Sequence, residues 1–138
     1  MIIKVFDNLP KDALDLRIKV FVDEQGFVDE VDEFDSVSTH LVMYDGEKPI
    51  ATCRFFLKED DETYMFGRLC VLKEYRGKHL GREMLKKVEE LVREKCGKAI
   101  ILHSQYHAKP FYERCGFTQQ GEIDYEQNKP HAWMRKEV

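Results

Sequence analysis

Arg68-Leu69-Cys70-Val71-Leu72-Lys73-Glu74-Tyr75-Arg76-Gly77-Lys78-His79-Leu80-Gly81-Arg82 is the stretch on which the reading of this chain turns. Its first residues close a β-rich run that begins at Thr63. From Leu80 the period changes: Leu80, Met84, Val88, Leu91 and Val92 fall on one helical stripe, with Arg82, Lys86, Lys87, Glu89, Glu90 and Arg93 turned outward. A strand therefore passes into a long amphipathic helix through Arg76-Gly77-Lys78-His79-Leu80-Gly81. The first turn of a helix carries N–H groups without intrahelical acceptors and roughly half a positive charge, so it attracts an anion. Gly77 and Gly81 let the backbone approach that anion, and Arg76, Lys78 and Arg82 add positive charge around it. A pyrophosphate is the natural ligand. The competing reading is a glycine-containing turn with a solvated basic rim. The stretch has neither the Gly-Lys-Ser/Thr ending of a P-loop nor a G-x-G-x-x-G.

Outward from this segment the chain reads as one run of alternating elements. Ile2–Phe6 suits a first strand, and Asn8-Leu9-Pro10-Lys11-Asp12 starts a helix whose apolar face is Leu14, Ile18, Phe21 and Val22, closed near Gly26. Asp29-Glu30-Val31-Asp32-Glu33-Phe34-Asp35 reads as an acidic loop. Thr39–Tyr44 and Ile50–Leu57 form a hairpin about Asp45-Gly46, and Thr63–Leu72 extends it to a meander. Gly97 ends the long helix. Ala99–Leu102 suits a strand buried on both faces, and Lys109–Cys115 a short helix between Pro110 and Gly116. Phe117–Ile123 and His131–Arg135 are the last two strands. No repeat or linker interrupts residues 1–138. The expectation is a single α/β (α+β) domain with a mixed, mostly antiparallel central sheet of about six to seven strands flanked by helices.

Composition narrows the function classes. Lys and Arg number 22 against 26 Asp and Glu, a formal charge of −4 that argues against a general nucleic-acid binder and suits a cationic substrate. No apolar stretch approaches the roughly 20 residues needed to cross a bilayer, and the start is too quickly charged for a secretory signal. Cys53, Cys70, Cys96 and Cys115 are scattered, without a C-x-x-C pair, and read as buried thiols in a reducing compartment. The cytoplasm is the default expectation.

Val71 followed by Tyr75-Arg76-Gly77-Lys78-His79-Leu80-Gly81 and an apolar helix resembles the acetyl-CoA signature of the GNAT superfamily of N-acetyltransferases, Arg/Gln-x-x-Gly-x-Gly/Ala. Arg76 and Gly81 match. His79 stands where the first motif glycine would be, which an ordinary φ angle would tolerate. A second segment, Gln105-Tyr106-His107-Ala108-Lys109-Pro110-Phe111-Tyr112-Glu113-Arg114-Cys115-Gly116-Phe117, resembles the family's A-x-x-F-Y-x-x-x-G-F at Ala108, Phe111, Tyr112, Gly116 and Phe117. Arg17–Gln25, then Asp32, Asp35 and His40, and later Pro130–Met134, look like the ElaA-like branch of that superfamily.

The resemblance implies a GNAT-like sheet and transfer of an acetyl group from acetyl-CoA to an amine. It also implies that backbone groups of Leu69, Cys70 and Val71 meet the coenzyme and polarise the acetyl oxygen. Arg76, Gly77, Lys78, His79, Leu80, Gly81 and Arg82 would hold the pyrophosphate, with Gln105, Lys109 and Tyr112 contributing from the second segment. A free alkylamine has a reference pKa near 10.4, so a base must remove its proton. Tyr112 is the candidate acid for the departing thiolate; Glu24, His40 and His131 are the candidate bases, each with an ordinary structural alternative. His103 and His107 lack a carboxylate at ligand spacing, so no metal is expected.

Cys70 and Cys115 have no neighbouring base in sequence, which favours direct attack in a ternary complex over an acetyl-enzyme. The acidic run would either recruit a cationic amine or form a solvated loop, and Arg17 and Arg54 would pair with its acids or with a substrate carboxylate, pairing within the protein being favoured. No nucleic-acid or membrane partner is expected, and exposed strand edges are compatible with a homodimer. The alternative function is a non-catalytic acyl-CoA sensor on the same fold.

Overall fold

The computed structural model describes residues 1–28 and 31–138. Asp29 and Glu30 of the acidic run lie outside the described residues. The elements follow the expected order: β1 (Ile2–Phe6), α1 (Lys11–Arg17), β2 (Thr39–Asp45), β3 (Lys48–Leu57), β4 (Thr63–Val71), α2 (Leu80–Glu94), β5 (Ala99–Gln105), α3 (Lys109–Arg114), β6 (Thr118–Glu126) and β7 (Lys129–Glu137). The strands form one seven-stranded sheet in the order β1-β2-β3-β4-β5-β7-β6. β4 and β5 run parallel, as the helical crossover α2 permits; β1–β2, β2–β3, β5–β7 and β7–β6 are antiparallel. The chain divides into two compact units, Met1–Phe56 with Gly67–Val88, and Leu57–Phe66 with Glu89–Val138.

In the first unit the hairpin turn falls where Asp-Gly placed it, with Gly46 at φ +62. The first helix differs from its expected form. After Arg17 it continues as a π-helical turn over Ile18–Glu24. Its buried residues are Ala13, Leu16, Arg17, Val20 and Phe21, while Ile18 is 39% exposed. The apolar stripe read from sequence is thus rotated, because the inward face carries an arginine. The acidic run also differs from a solvated loop. Glu33–Val37 is a 3-10 turn opened by a capping box between Asp32 and Asp35, and Asp35 is buried.

In the second unit Ala99–Leu102 is not sealed on both faces. Ile100, Leu102 and Ser104 are buried, whereas Ile101, His103 and Gln105 are half-buried, so β5 has one open face. Glu89, expected outward on α2, is buried with its carboxylate 2.6 Å from Lys136 Nζ. Cys96 is exposed rather than buried, and it, not Gly97, takes the left-handed conformation at the end of α2, at φ +62. Gly97 is needed for a different reason: a Cβ there would lie 2.5 Å from Val92 Cγ1 and 2.8 Å from the Tyr64 ring. Among the described residues no helix is long and apolar enough to cross a membrane.

Candidate active site

The turn between β4 and α2 is built by local hydrogen bonds. Leu72 receives the Tyr75 N–H at 2.9 Å and Lys73 the Arg76 N–H at 3.3 Å, making a single 3-10 turn over Lys73–Tyr75. Gly77 (φ +79) and His79 (φ +62) then both take left-handed conformations. The ordinary φ expected at His79 is therefore absent; the position accepts histidine because that side chain enters the left-handed region more readily than most. A Cβ on Gly77 would meet nothing within 4 Å, so the backbone angle rather than crowding demands glycine there. α2 follows at Leu80. Glu83 donates its N–H to the His79 carbonyl at 3.2 Å, while helix geometry leaves the N–H groups of Leu80, Gly81 and Arg82 without intrahelical acceptors.

Arg76 joins three parts of this unit. Its Nε donates to the Val71 carbonyl at 2.9 Å, and its two terminal nitrogens grip the Glu24 carboxylate at 2.6 and 2.9 Å. These hydrogen bonds from Arg76 hold the Glu24 carboxyl below its ordinary range, which makes Glu24 a weak proton acceptor. Lys78 Nζ lies 5.4 Å over the Tyr75 ring, and the Tyr75 hydroxyl donates to Asp45 at 2.6 Å. Leu69 and Val71 are half-buried and Cys70 is buried on β4. Just before them the chain kinks: Arg68 has φ +55 directly after Gly67, and the parallel ladder with β5 covers only Thr63–Phe66.

Arg68, Arg54 and Arg17 meet the acidic run. Arg17 is 1% exposed and bonds Asp35 through both terminal nitrogens, at 2.8 and 3.0 Å. Arg54 reaches Asp32 at 2.6 and 2.9 Å and Asp35 at 2.9 Å, and Arg68 reaches Asp32 at 3.2 Å. Burial alone would raise the Asp35 carboxyl, but the hydrogen bonds and charge of Arg17, the Asp32 N–H and Arg54 outweigh it and hold it far below the carboxylate range. His40 is buried beside this network, with Nε2 donating to the Asp35 carbonyl at 3.0 Å, and burial pushes its pKa down. This hydrogen bond beside the start of β2 is an ordinary structural role for His40.

The second unit holds the other candidates. Tyr112 is buried on α3 with its ring edge-on to Phe66 (6.4 Å), Phe111 (4.9 Å) and Phe117 (5.8 Å). Gln105 ends β5, and Lys109 opens α3 with Nζ 3.7 Å from Glu113 and 5.9 Å from the Tyr106 ring centre. His131 is 2% exposed; its Nδ1 donates to the Lys129 carbonyl at 2.9 Å and its Nε2 lies 3.6 Å from Glu126. His103 Nε2 donates to Asp124 at 2.7 Å, a partner 21 positions away that sequence spacing did not reveal. Among the described residues no three His, Cys, Asp or Glu side chains gather as a metal site.

A strand, a double left-handed turn and a helix with a basic rim form the cradle that the resemblance to the GNAT superfamily leads one to expect. The comparisons agree: the acetyltransferase (GNAT) domain model matches residues 12–138, and the chain belongs to that family. It is 35% identical over 130 residues to the uncharacterized N-acetyltransferase YjcF of Bacillus subtilis, covering 92% of this chain and 91% of that protein. The crystal structure of Escherichia coli ElaA superposes with a TM-score of 0.85 at 27% identity, over 98% of this chain and 99% of that one. An acyl-CoA N-acyltransferase from Pseudomonas aeruginosa superposes with a TM-score of 0.86 at 25% identity, over 98% of each chain. The expected superfamily, the ElaA-like likeness and the seven-stranded mixed sheet are therefore all found.

Proposed function

We propose that this chain acts as a single domain that transfers an acetyl group from acetyl-CoA to a primary amine by direct attack in a ternary complex. The observation that carries the reading is the turn at Gly77 and His79, whose two left-handed residues deliver the chain into the open N–H groups of α2. Backbone donors of His79–Arg82 and the side chains of Arg76, Lys78 and Arg82 would hold the diphosphate. Leu69, Cys70 and Val71 would lie along the pantetheine arm, with Gln105 and Lys109 contacting the coenzyme from the other segment. Tyr112 would give a proton to the departing thiolate. His131 is the favoured base, since Glu24 is engaged by Arg76, and His40, as buried as His131, also lies beside the Arg17 and Arg54 charges, which disfavour its protonated form. None of the four cysteines is in a disulfide, which suits a reducing, cytoplasmic setting.

Calorimetric titration with CoA tests the cradle: saturable binding is expected, and no heat at millimolar CoA together with an unchanged thermal midpoint overturns it. Release of CoA when amines are added separates an enzyme from a sensor, which would bind CoA without turnover. Glu24→Gln is expected to tighten CoA binding by about two- to fivefold, because an exposed ion pair is worth at most about 1 kcal/mol and its loss frees Arg76 for the diphosphate. If Glu24 were the base, the same variant would instead lose turnover.

A further inference from the structure

A cationic acceptor needs a negative partner, and two aspartates of the acidic run, Asp32 and Asp35, are poor ones. Asp32 and Asp35 answer three guanidinium groups, Arg17, Arg54 and Arg68, so their charge is neutralised within the protein. The second unit presents a different constellation on the open face of β5 and β7. Cross-strand registers place His103 beside Trp133, and His131 beside both Gln105 and Asp124. The His103 ring stacks on Trp133 with centres 4.5 Å apart at 20°, and lies 4.7 Å from the His131 ring. A bulge in β6 between Gln120 and Asp124, with Gly121 at φ +74, brings Asp124 into register with His131.

Asp124 is the charge centre of this face. It accepts a hydrogen bond from His103 at 2.7 Å, and its own side chain remains 48% exposed. A carboxylate has about four lone-pair sites, so one donor leaves capacity for others. Glu126 lies 3.6 Å from His131 Nε2, and among the described residues the ion pair of Asp124 is with His103, not with a Lys or Arg. A carboxylate rimmed by an indole and an imidazole suits an alkylammonium ion, which gains from both charge and aromatic faces.

We propose that this face binds one ammonium group of an organic diamine, Asp124 taking the charge and the Trp133–His103 stack the alkyl stem. This rests on the transferase reading and names its acceptor class. A nitrogen held as an ammonium has no lone pair, so it cannot attack a thioester. The acetylated nitrogen must therefore be a second amine on the same molecule, deprotonated before attack, its proton passing to the base and the thiolate leaving as CoA.

Trp133 is the single tryptophan of the chain, so its emission reports this face without any acyl transfer. Titrating 1,4-diaminobutane into the intact protein is expected to give a saturable emission change that 1-butanol does not give. Asp124→Asn should weaken that response about tenfold or more, and Asp124→Glu should retain part of it; circular dichroism checks that each variant is folded. With acetyl-CoA present, 1,4-diaminobutane should release CoA much faster than 1-aminobutane. No saturable response to the diamine, or one unchanged in Asp124→Asn, overturns the inference even if other amines are acetylated. An Asp124-dependent response without CoA release from any amine keeps the cation site and removes the transferase reading instead.

Discussion

Replacing Arg17 by alanine is expected to destabilise the protein by about 3–5 kcal/mol in urea unfolding, the range for removing one partner of a buried ion pair. Arg17 sits on the inward stripe of α1 among Ala13, Leu16, Val20 and Phe21, and its bidentate grip on Asp35 is what allows a charge in that position. Without it, Asp35 keeps Arg54 but loses the partner that most offsets its burial. The same network sets an acid limit. The folded-state carboxyls of Asp35 and Asp32 lie below their unfolded values near 3.9, so the stabilisation is complete above that pH and is lost as pH falls through the folded values. Wild-type stability should therefore fall steeply below about pH 4, and Arg17→Ala should flatten that slope. A destabilisation under 1 kcal/mol with an unchanged acid slope would show that the buried pair is energetically idle.

Tyr112→Phe is expected to lower kcat by about a hundredfold while the Kd for CoA stays within about twofold. The substitution removes one hydroxyl and leaves the ring edges against Phe66, Phe111 and Phe117, so packing on α3 is preserved. A group that donates a proton only as the thiolate departs acts on the transition state and not on ground-state binding. Turnover within threefold of wild type would remove the acid role. An equal loss in kcat and in CoA affinity would assign the hydroxyl to binding.

The contrast between these two residues shows what was legible. Tyr112 stands out because its neighbours Phe111, Gly116 and Phe117 form a local pattern, and the fold packs its ring against Phe111 and Phe117. Arg17 belonged to a helical pattern that hydrophobicity misread. Nothing local marks an arginine as inward-facing; the reason is Asp35, 18 positions on, and that distance is closed only by folding. His103 has no carboxylate at ligand spacing in the sequence. Its carboxylate, Asp124, arrives from β6 through a bulge in register.

Element order, the Asp-Gly hairpin, the strand-to-helix turn and the family followed from the amino-acid sequence alone. The first three rest on interactions within a few residues, namely backbone angles, caps and the periods of strand and helix, and the family on two short motifs. The pairing of Arg17 and Arg54 with the acidic run was legible in the sequence; tertiary structure alone chose Asp32 and Asp35 as the partners and added Arg68, and it alone decided the sealing of His40, the capture of Glu24 by Arg76 and the aromatic face around Asp124. Those pairings join residues from 5 to 52 positions apart, and a charge is buried or exposed according to which partner the fold brings to it.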